Sequence, residues 1–186
     1  MKRTLSALCI ILLVASAAGF AHEKQQKRTR EDKQAGIDQM AENTLKRLFQ
    51  ASAATEPQFE EAMGYAVFHN TKVAMGITGG GGVGVAVNKK TGERTYMKMG
   101  TAGIGFSLGA QIYDVIFLFQ DEGALQHFIE SGWEGETQAN LAAGTMGANA
   151  ATTFIKGKRV YQLTDSGVMA SADVAGSKYW VSKKLN

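Results

Sequence analysis

Glycine is concentrated in the middle of this 186-residue chain, where 17 of its 22 glycines lie between residues 64 and 147. The tract has no three-residue period and the chain holds one proline, which excludes a collagen-like structure. Glycine inside a strand usually marks a bend or the close approach of another backbone. The tract therefore predicts a folded region in which the backbone curves or comes very near a neighbour.

Two segments of the tract alternate bulky and small residues, as β-strands do. Val83, Val85 and Val87 alternate with glycine or alanine. The same period of two runs through residues 104–112. Each predicted strand thus has one bulky face and one almost bare face. Two interpretations of the bare face stay open: a backbone or a sharp bend occupies it, or a ligand lies on it.

Helical periodicity precedes the glycine tract. An apolar stripe within residues 37–49 has the spacing of one helix face. Its members are Ile37, Met40, Ala41, Thr44, Leu45, Leu48 and Phe49. A second, short helix is expected to begin with Thr55 as its cap and Gln58 completing a capping box, and to stop near Gly64.

Short strands and one further helix follow. Residues 114–119 are continuously apolar after the first position, which predicts a strand buried on both faces. Asp121 is expected to cap a helix that ends near Gly132. The order predicts an α+β fold with N-terminal helices on a curved, largely antiparallel, glycine-rich β-sheet or partial barrel. The other predicted strands cover residues 65–68, 94–99, 152–155, 160–164, 168–174 and 178–181, and residues 88–93 form a predicted turn.

The N-terminus has the composition of an export signal. Lys2 and Arg3 precede an apolar run at residues 5–18. Small residues at the two positions that a signal peptidase reads, Gly19 and Ala21, predict cleavage after Ala21. An uncleaved anchor is the alternative, although about 14 apolar residues fall short of the ~20 that a membrane span needs. The expected organisation is a signal peptide at 1–21, a flexible polar leader at 22–35 and a single domain at 36–186. The expected location is the periplasm, with the domain either free there or associated with the membrane.

Cleavage would remove two basic residues and the one cysteine. The 20 basic residues would become 18 against 17 acidic ones, a net charge of +1. Nucleic-acid binding depends on many phosphate contacts, so we expect no nucleic-acid partner. Without cysteine, disulfides and thiolate chemistry are excluded. No HExxH or similar metal spacing occurs. We therefore expect no cofactor, no metal and no enzymatic activity.

Histidine offers the remaining route to catalysis. His69 ends a predicted strand, whereas His22 lies in the leader and His127 beside an apolar helix face. A hydrolase centred on His69 is an alternative, but no Asp or Ser is placed by sequence to complete a triad.

The glycines at 79–82 resemble a phosphate loop only superficially. A Walker loop needs Lys and Ser/Thr after the last glycine, and a dinucleotide fingerprint opens into a helix. Here valines continue a strand. Two interpretations remain: a nest of backbone amides that binds an anion, or a flexible hairpin tip.

Basic residues near this tract complete the candidate site. Together with cations farther along the chain they could meet anionic lipid head groups if the fold brings them together. Those more distant cations are Lys156, Lys158, Arg159, Lys178, Lys183 and Lys184. The predicted ligand-binding set is Lys72, Gly79, Gly80, Gly81, Gly82, Lys89, Lys90, Arg94, Gly105 and Gly109.

The order and spacing of several stretches resemble the SYLF domain family, also called the Ysc84 family. These stretches are residues 64–68, 79–84, 105–111, 114–116 with 124–128, 161–167 and 176–180. The resemblance implies a lipid-binding module. Eukaryotic relatives bind phosphoinositide membranes, partly through an amphipathic N-terminal helix, and some bind actin, whereas bacterial relatives are exported. The chain departs from the family at His69, where proline is common.

For an exported protein, only lipid or membrane binding carries over from the resemblance. The expected partner is therefore a phospholipid or membrane surface, with a cell-envelope protein as the alternative; the sequence does not fix an oligomeric state. The stripe at 37–49 has two possible fates: docking on a membrane or packing on the protein's own sheet.

Overall fold

A computed structural model describes the backbone of residues 2–134, 154, 157–164, 167–169 and 177–186. Within these ranges, side chains are described except at 2–24, 74–78, 103–108, 133–134 and 167–169. The chain divides into two units, Met1–Gly36 and Ile37–Asn186.

The first unit is helical. Helix α1 is recorded over Lys2–Ala51, so residues 22–35, predicted as a flexible leader, have helical backbone. They are rich in Glu, Gln, Lys and Arg, which are good helix formers. Lys27 and Glu31, one helical turn apart, form an exposed ion pair at 3.9 Å. The side chains of residues 25–35 are mostly exposed, in agreement with their polar composition.

The second unit contains two further helices. Helix α2 spans Thr55–Glu61 and helix α3 spans Glu122–Ser131. The prediction for α3 is confirmed, because the Asp121 side chain accepts a hydrogen bond from the Ala124 N–H and Gly132 ends the helix with φ +66°. The predicted cap of α2 is wrong. Ala54 occupies the cap position, and the Thr55 hydroxyl instead donates to the Ser52 carbonyl at 2.6 Å.

In the part of the chain that the structure describes, six antiparallel strands form one open sheet. Two long strands, β1 (Gly64–Asn88) and β2 (Arg94–Phe119), pair along their length as a hairpin. On its other edge β2 pairs with β6 near Met99 and with β4 near Ile116. The remaining strands lie outside these: β3 on β6 and β5 on β4. Their bounds are β3 Trp133–Glu134, β4 Lys158–Thr164, β5 Gly167–Met169 and β6 Ser177–Val181.

The α+β prediction with a largely antiparallel sheet is confirmed. The predicted turn at 88–93 is also confirmed, because the Asn88 side chain accepts from the Lys90 and Thr91 N–H groups and Gly92 has φ +74°. The strands predicted separately at 65–68 and 83–87 are two parts of β1. The predictions for 152–155 and for residues 170–174 lie largely outside the described residues.

The hairpin is bent in its middle, where the pairing register shifts between Met75 and Ile77. The two halves of β1 then approach each other closely. A β-carbon at Gly80 would lie 2.5 Å from the Thr71 carbonyl oxygen, and one at Gly82 would lie 2.5 Å from the His69 carbonyl oxygen. The bare strand face is therefore filled by backbone, which supports the structural interpretation of these glycines.

Each face of the sheet carries a separate core. On one face, aromatic residues of β2 pack with α3; Phe117 and Phe128 have ring centroids 5.0 Å apart. On the other face, Ile116 and Leu118 lie in the same core as the α1 stripe. Alternate residues of 115–119 thus enter opposite cores, which confirms the strand predicted to be buried on both faces.

Candidate functional site

The bend of the hairpin contains no charged residue, and those of its side chains that the structure describes are exposed. We call residues 73–79 of β1 and 102–112 of β2 the bend segment. No charged residue occurs from Val73 to Asn88 or from Met99 to Tyr113. Two large apolar side chains in the segment face solvent: Val73 is 45% exposed and Ile112 is 59% exposed. An apolar surface of this kind marks a contact site more often than a scattered single residue does.

Next to the bend, a buried carboxylate collects three donors. Asp114 is 2% exposed and lies in β2 opposite His69 of β1. Its Oδ1 is 2.6 Å from His69 Nδ1, and its Oδ2 accepts from Arg47 Nη1 at 2.9 Å. The Thr44 hydroxyl donates to the same Oδ2 at 3.1 Å. Burial of a carboxylate is costly unless it is paired, so these donors hold it in place. We call these four residues the Asp114 cluster.

The cluster and the bend share one face of the sheet. In the register of the hairpin, His69 lies opposite Asp114 and Thr71 opposite Ile112. Side chains two positions apart on a strand point to the same face, about 7 Å apart. The exposed Ile112 therefore adjoins the Asp114 cluster. Asp114 and Arg47 were not among the predicted site residues.

The structure places the predicted glycines in the hairpin, at or beside the bend. Gly79 to Gly82 lie within β1 and pair with residues of β2, so they form neither an amide nest nor a hairpin tip; both interpretations are wrong. The hairpin tip lies instead at residues 88–93. Gly105 lies in β2 at the bend, and Gly109 pairs with Ala74 with φ +142°.

The predicted cations do not gather around these glycines. Lys72 pairs with Gln111 next to the bend segment, whereas Lys89, Lys90 and Arg94 lie at the opposite end of the hairpin. Two of these three have structural contacts. Lys89 Nζ donates to the Phe59 and Glu60 carbonyls at 2.7 and 3.1 Å, and Arg94 Nε is 3.4 Å from Asp38 Oδ1; Lys90 is exposed.

The more distant cations also lie apart. Arg159 is 8% exposed, is 3.1 Å from Glu61 Oε2 and stacks on the Phe154 ring at 3.9 Å. Lys178 lies in β6, and Lys183 and Lys184 follow that strand as exposed residues. The predicted position Lys156 lies outside the described residues, and Lys158 begins β4.

A second exposed surface crosses three strands of the sheet. Val83, Lys98 and Trp180 form one row, through the pairings of Val83 with Lys98 and of Lys98 with Trp180. Val83 is 39% and Trp180 is 42% exposed. The Trp180 ring covers Gly100, where a β-carbon would lie 3.1 Å from it. We call this surface the Trp180 row.

In the described ranges, no three His, Cys, Asp or Glu side chains lie together in a way that would hold a metal ion. Likewise, no described helix has both the length and the apolar character needed to cross a membrane.

Comparison with known proteins points to a family. Residues 100–186, which include most of β2 and all of α3 and β3–β6, match the Ysc84 family, described as Las17-binding protein actin regulator. Through these residues, a little under half of the chain, the protein is similar to the Ysc84 family. The resemblance to the SYLF family is thereby confirmed. This similarity supports a lipid-binding module.

A bacterial relative extends the similarity beyond the matched residues. The chain is 35% identical over 164 residues to "Beta cell expansion factor A" of Aeromonas veronii. The aligned region covers 88% of this chain and 63% of the relative. The chain therefore spans less than two thirds of the length of that relative.

Proposed function

We propose that this protein is an exported, non-enzymatic module that binds the surface of an anionic phospholipid membrane through its bend segment. The observation that carries the proposal is the exposure of Val73 and Ile112 in a bend segment without charged residues. Similarity to the Ysc84 family supports the lipid class. Export to the periplasm rests on the N-terminal sequence alone.

The energetics favour shallow insertion of the bend. Transfer of a large aliphatic side chain out of water yields about 1.5–3 kcal/mol when its burial is complete. Lys72 and Lys98 border the uncharged stretches of β1 and β2, respectively. A cation near an anionic lipid surface adds about 1 kcal/mol. Of these two cations, Lys72 adjoins the bend segment. The segment thus combines an apolar surface with a cation at its margin, which suits the boundary between acyl chains and head groups.

Vesicle flotation tests the proposal with two exposed substitutions. We expect the wild-type protein to float with phosphatidylcholine vesicles that contain phosphatidylglycerol. The double variant Val73→Ser with Ile112→Ser removes two apolar contacts, so its partition coefficient should fall at least about tenfold. Met63→Ser is the matched control, because Met63 is also exposed (42%) but lies between α2 and β1. Absence of wild-type flotation with anionic and neutral vesicles at low salt would refute the proposal.

Protein binding is a second candidate function, favoured by the Trp180 row. Tryptophan is enriched among protein-interface hot spots. In this case, Trp180→Ala should abolish crosslinking to a specific envelope protein and leave vesicle flotation unchanged. Recovery of the same crosslinked partner with the variant would exclude this surface.

A further inference from the structure

The Asp114 cluster holds two half-exposed basic side chains on one buried carboxylate. The side chain of Arg47 is 48% exposed and that of His69 is 47% exposed, whereas that of Asp114 is 3% exposed. Each basic side chain contacts a different carboxylate oxygen. Asp114 therefore fixes both of them at the surface, on separate elements, α1 and β1.

Neither basic side chain uses all its hydrogen-bonding capacity on Asp114. An ionised carboxylate only accepts, so the imidazole donates from Nδ1 and keeps Nε2 for another partner. The guanidinium of Arg47 has five N–H donors, and one nitrogen contacts Asp114. Among the described residues, no hydrogen bond is recorded for His69 Nε2 or for the other Arg47 nitrogens. Both groups thus suit a second acceptor such as a phosphate oxygen.

The charge balance of the cluster depends on His69. Among the described residues, the charged groups that meet there are Arg47 from α1 and Asp114 from β2, whose charges cancel. Thr44, also from α1, is uncharged. Histidine side chains change charge between pH 5 and 8, and a protonated His69 would make the cluster positive overall.

We propose that Arg47 and His69, positioned by Asp114, bind the phosphate group of an anionic phospholipid, and that protonation of His69 strengthens this binding. The proposal rests on the membrane-binding function above and assigns a head-group subsite to it. Lipid is favoured over free phosphate because Ile112 lies two positions from Asp114 on the same strand face. An amphiphile contacts both the cations and the apolar surface, whereas a free phosphate gains nothing from Ile112.

Flotation at two pH values tests the subsite. Wild-type protein is mixed with vesicles of phosphatidylcholine plus phosphatidylglycerol, and with phosphatidylcholine alone, at about pH 5.5 and about pH 7.5. We expect the partition coefficient on the anionic vesicles to be about fivefold higher at the lower pH, the ratio that one added cation gives. His69→Gln should abolish this difference, whereas His127→Gln, at an exposed histidine of α3, should retain it.

Arg47 is tested with a charge-matched neighbour. Arg47→Gln should lower anionic-vesicle binding about fivefold or more at both pH values, whereas Lys46→Gln, at the preceding exposed residue of α1, should change it less. Circular dichroism checks that each variant is folded. If His69→Gln is unfolded, the imidazole signals of the wild-type protein provide a second measurement: they should shift on addition of phosphatidylglycerol vesicles but not of millimolar inorganic phosphate.

The outcomes separate the subsite from the proposed function. Wild-type flotation that is independent of pH and equal in His69→Gln and Arg47→Gln would overturn the subsite and leave membrane binding by the bend intact. Absence of wild-type flotation at either pH would overturn both. An equal response to inorganic phosphate and to vesicles would reassign the site to free phosphate and overturn the lipid assignment.

Discussion

At the residue scale, neighbouring glycines of β1 have different roles. Gly80 and Gly82 face the backbone of the other half of the strand, whereas a β-carbon at Gly79 would meet nothing within 4 Å. The close positions alternate with open ones because successive strand residues point to opposite faces. The same glycine run therefore contains positions where a side chain is sterically excluded and positions where it is harmless.

Substitution by alanine should separate these two kinds of glycine. Gly82→Ala places a methyl group against the His69 carbonyl, and backbone cannot move aside cheaply, so we expect a loss of about 2 kcal/mol or more in the free energy of unfolding. Gly79→Ala, in the same strand, should be neutral or stabilising by about 0.5–1 kcal/mol. Urea denaturation measures both. Equal destabilisation by the two substitutions would contradict the close approach.

The proximity of His69 and Asp114 was not predictable from the sequence. Counted back from the turn at 88–93, the pairing of β1 and β2 would place His69 opposite Ile112. The register shift between Met75 and Ile77 moves the partner by two residues, to Asp114. Such a shift depends on how the backbone bends, and in this glycine-rich part of the hairpin no alternation of side chains indicates the register. A carboxylate opposite a histidine therefore has no signature in the local sequence.

At the scale of elements, the apolar stripe of α1 packs on the sheet of its own domain. Leu48 is fully buried and Leu45 is 7% exposed, both in the core that includes Ile116. This is the second of the two fates considered for the stripe, and it is the ordinary one for an amphipathic helix in a small domain. Direct contact of these residues with a membrane would require the helix to leave the sheet.

Truncation of one stripe residue tests this assignment. Leu48→Ala should lower the free energy of unfolding by about 2–5 kcal/mol, because it leaves a cavity in the core. Lys46→Ala, at an exposed position of the same helix, should change it by less than about 0.5 kcal/mol. Both are measured by urea denaturation. A Leu48→Ala variant of unchanged stability that no longer floats with vesicles would instead assign the stripe to the membrane.

The elements themselves were largely predictable where side chains carry a period. The stripe of α1, the cap of α3, the turn at 88–93 and the doubly buried strand at 114–119 follow from spacing and capping chemistry. One continuous strand over β1 could not be predicted, because its glycine-rich middle has no apolar period that indicates a strand. The predicted cap at Thr55 is absent because the Thr55 hydroxyl donates to the Leu48 and Ser52 carbonyls, near the end of α1. The missing apolar stripe in residues 22–35 predicted a flexible leader. The high helix propensity of these polar residues explains their helical backbone instead.

At the scale of the whole domain, burial keeps several tyrosines neutral. Burial raises the pKa of Tyr65, Tyr161 and Tyr179. Burial, together with a hydrogen bond to Asp38, raises the pKa of Tyr96 to about 12. Tyr65 and Tyr96 lie on the side of the sheet packed against α1, and Tyr179 lies in the core against α3. Tyrosine ionisation is therefore coupled to the integrity of both cores.

The domain should consequently unfold at alkaline pH. A raised folded-state pKa contributes stability that is complete below the unfolded value of about 10 and is lost as pH rises towards the folded value. Above about pH 10, we expect tyrosinate absorbance to rise while the far-ultraviolet circular dichroism signal falls. In the Tyr96→Phe variant, where residue 96 cannot ionise, the circular dichroism signal should fall less steeply with pH. Complete tyrosine ionisation near pH 10 with secondary structure intact would contradict this coupling.

The long hairpin also determines the order in which the domain can assemble. Its strands meet first at the turn of residues 88–93, where the chain separation is shortest, and its last pair, Gly64 with Phe119, joins positions far apart in sequence. Loop closure makes such distant pairs slow to form. Strand β4 docks on β2 at residues 114–119, the part of β2 that pairs with β1 last. The domain is thus expected to be a slow folder whose nascent chain exposes unpaired strand edges and depends on protection from aggregation before its cores close.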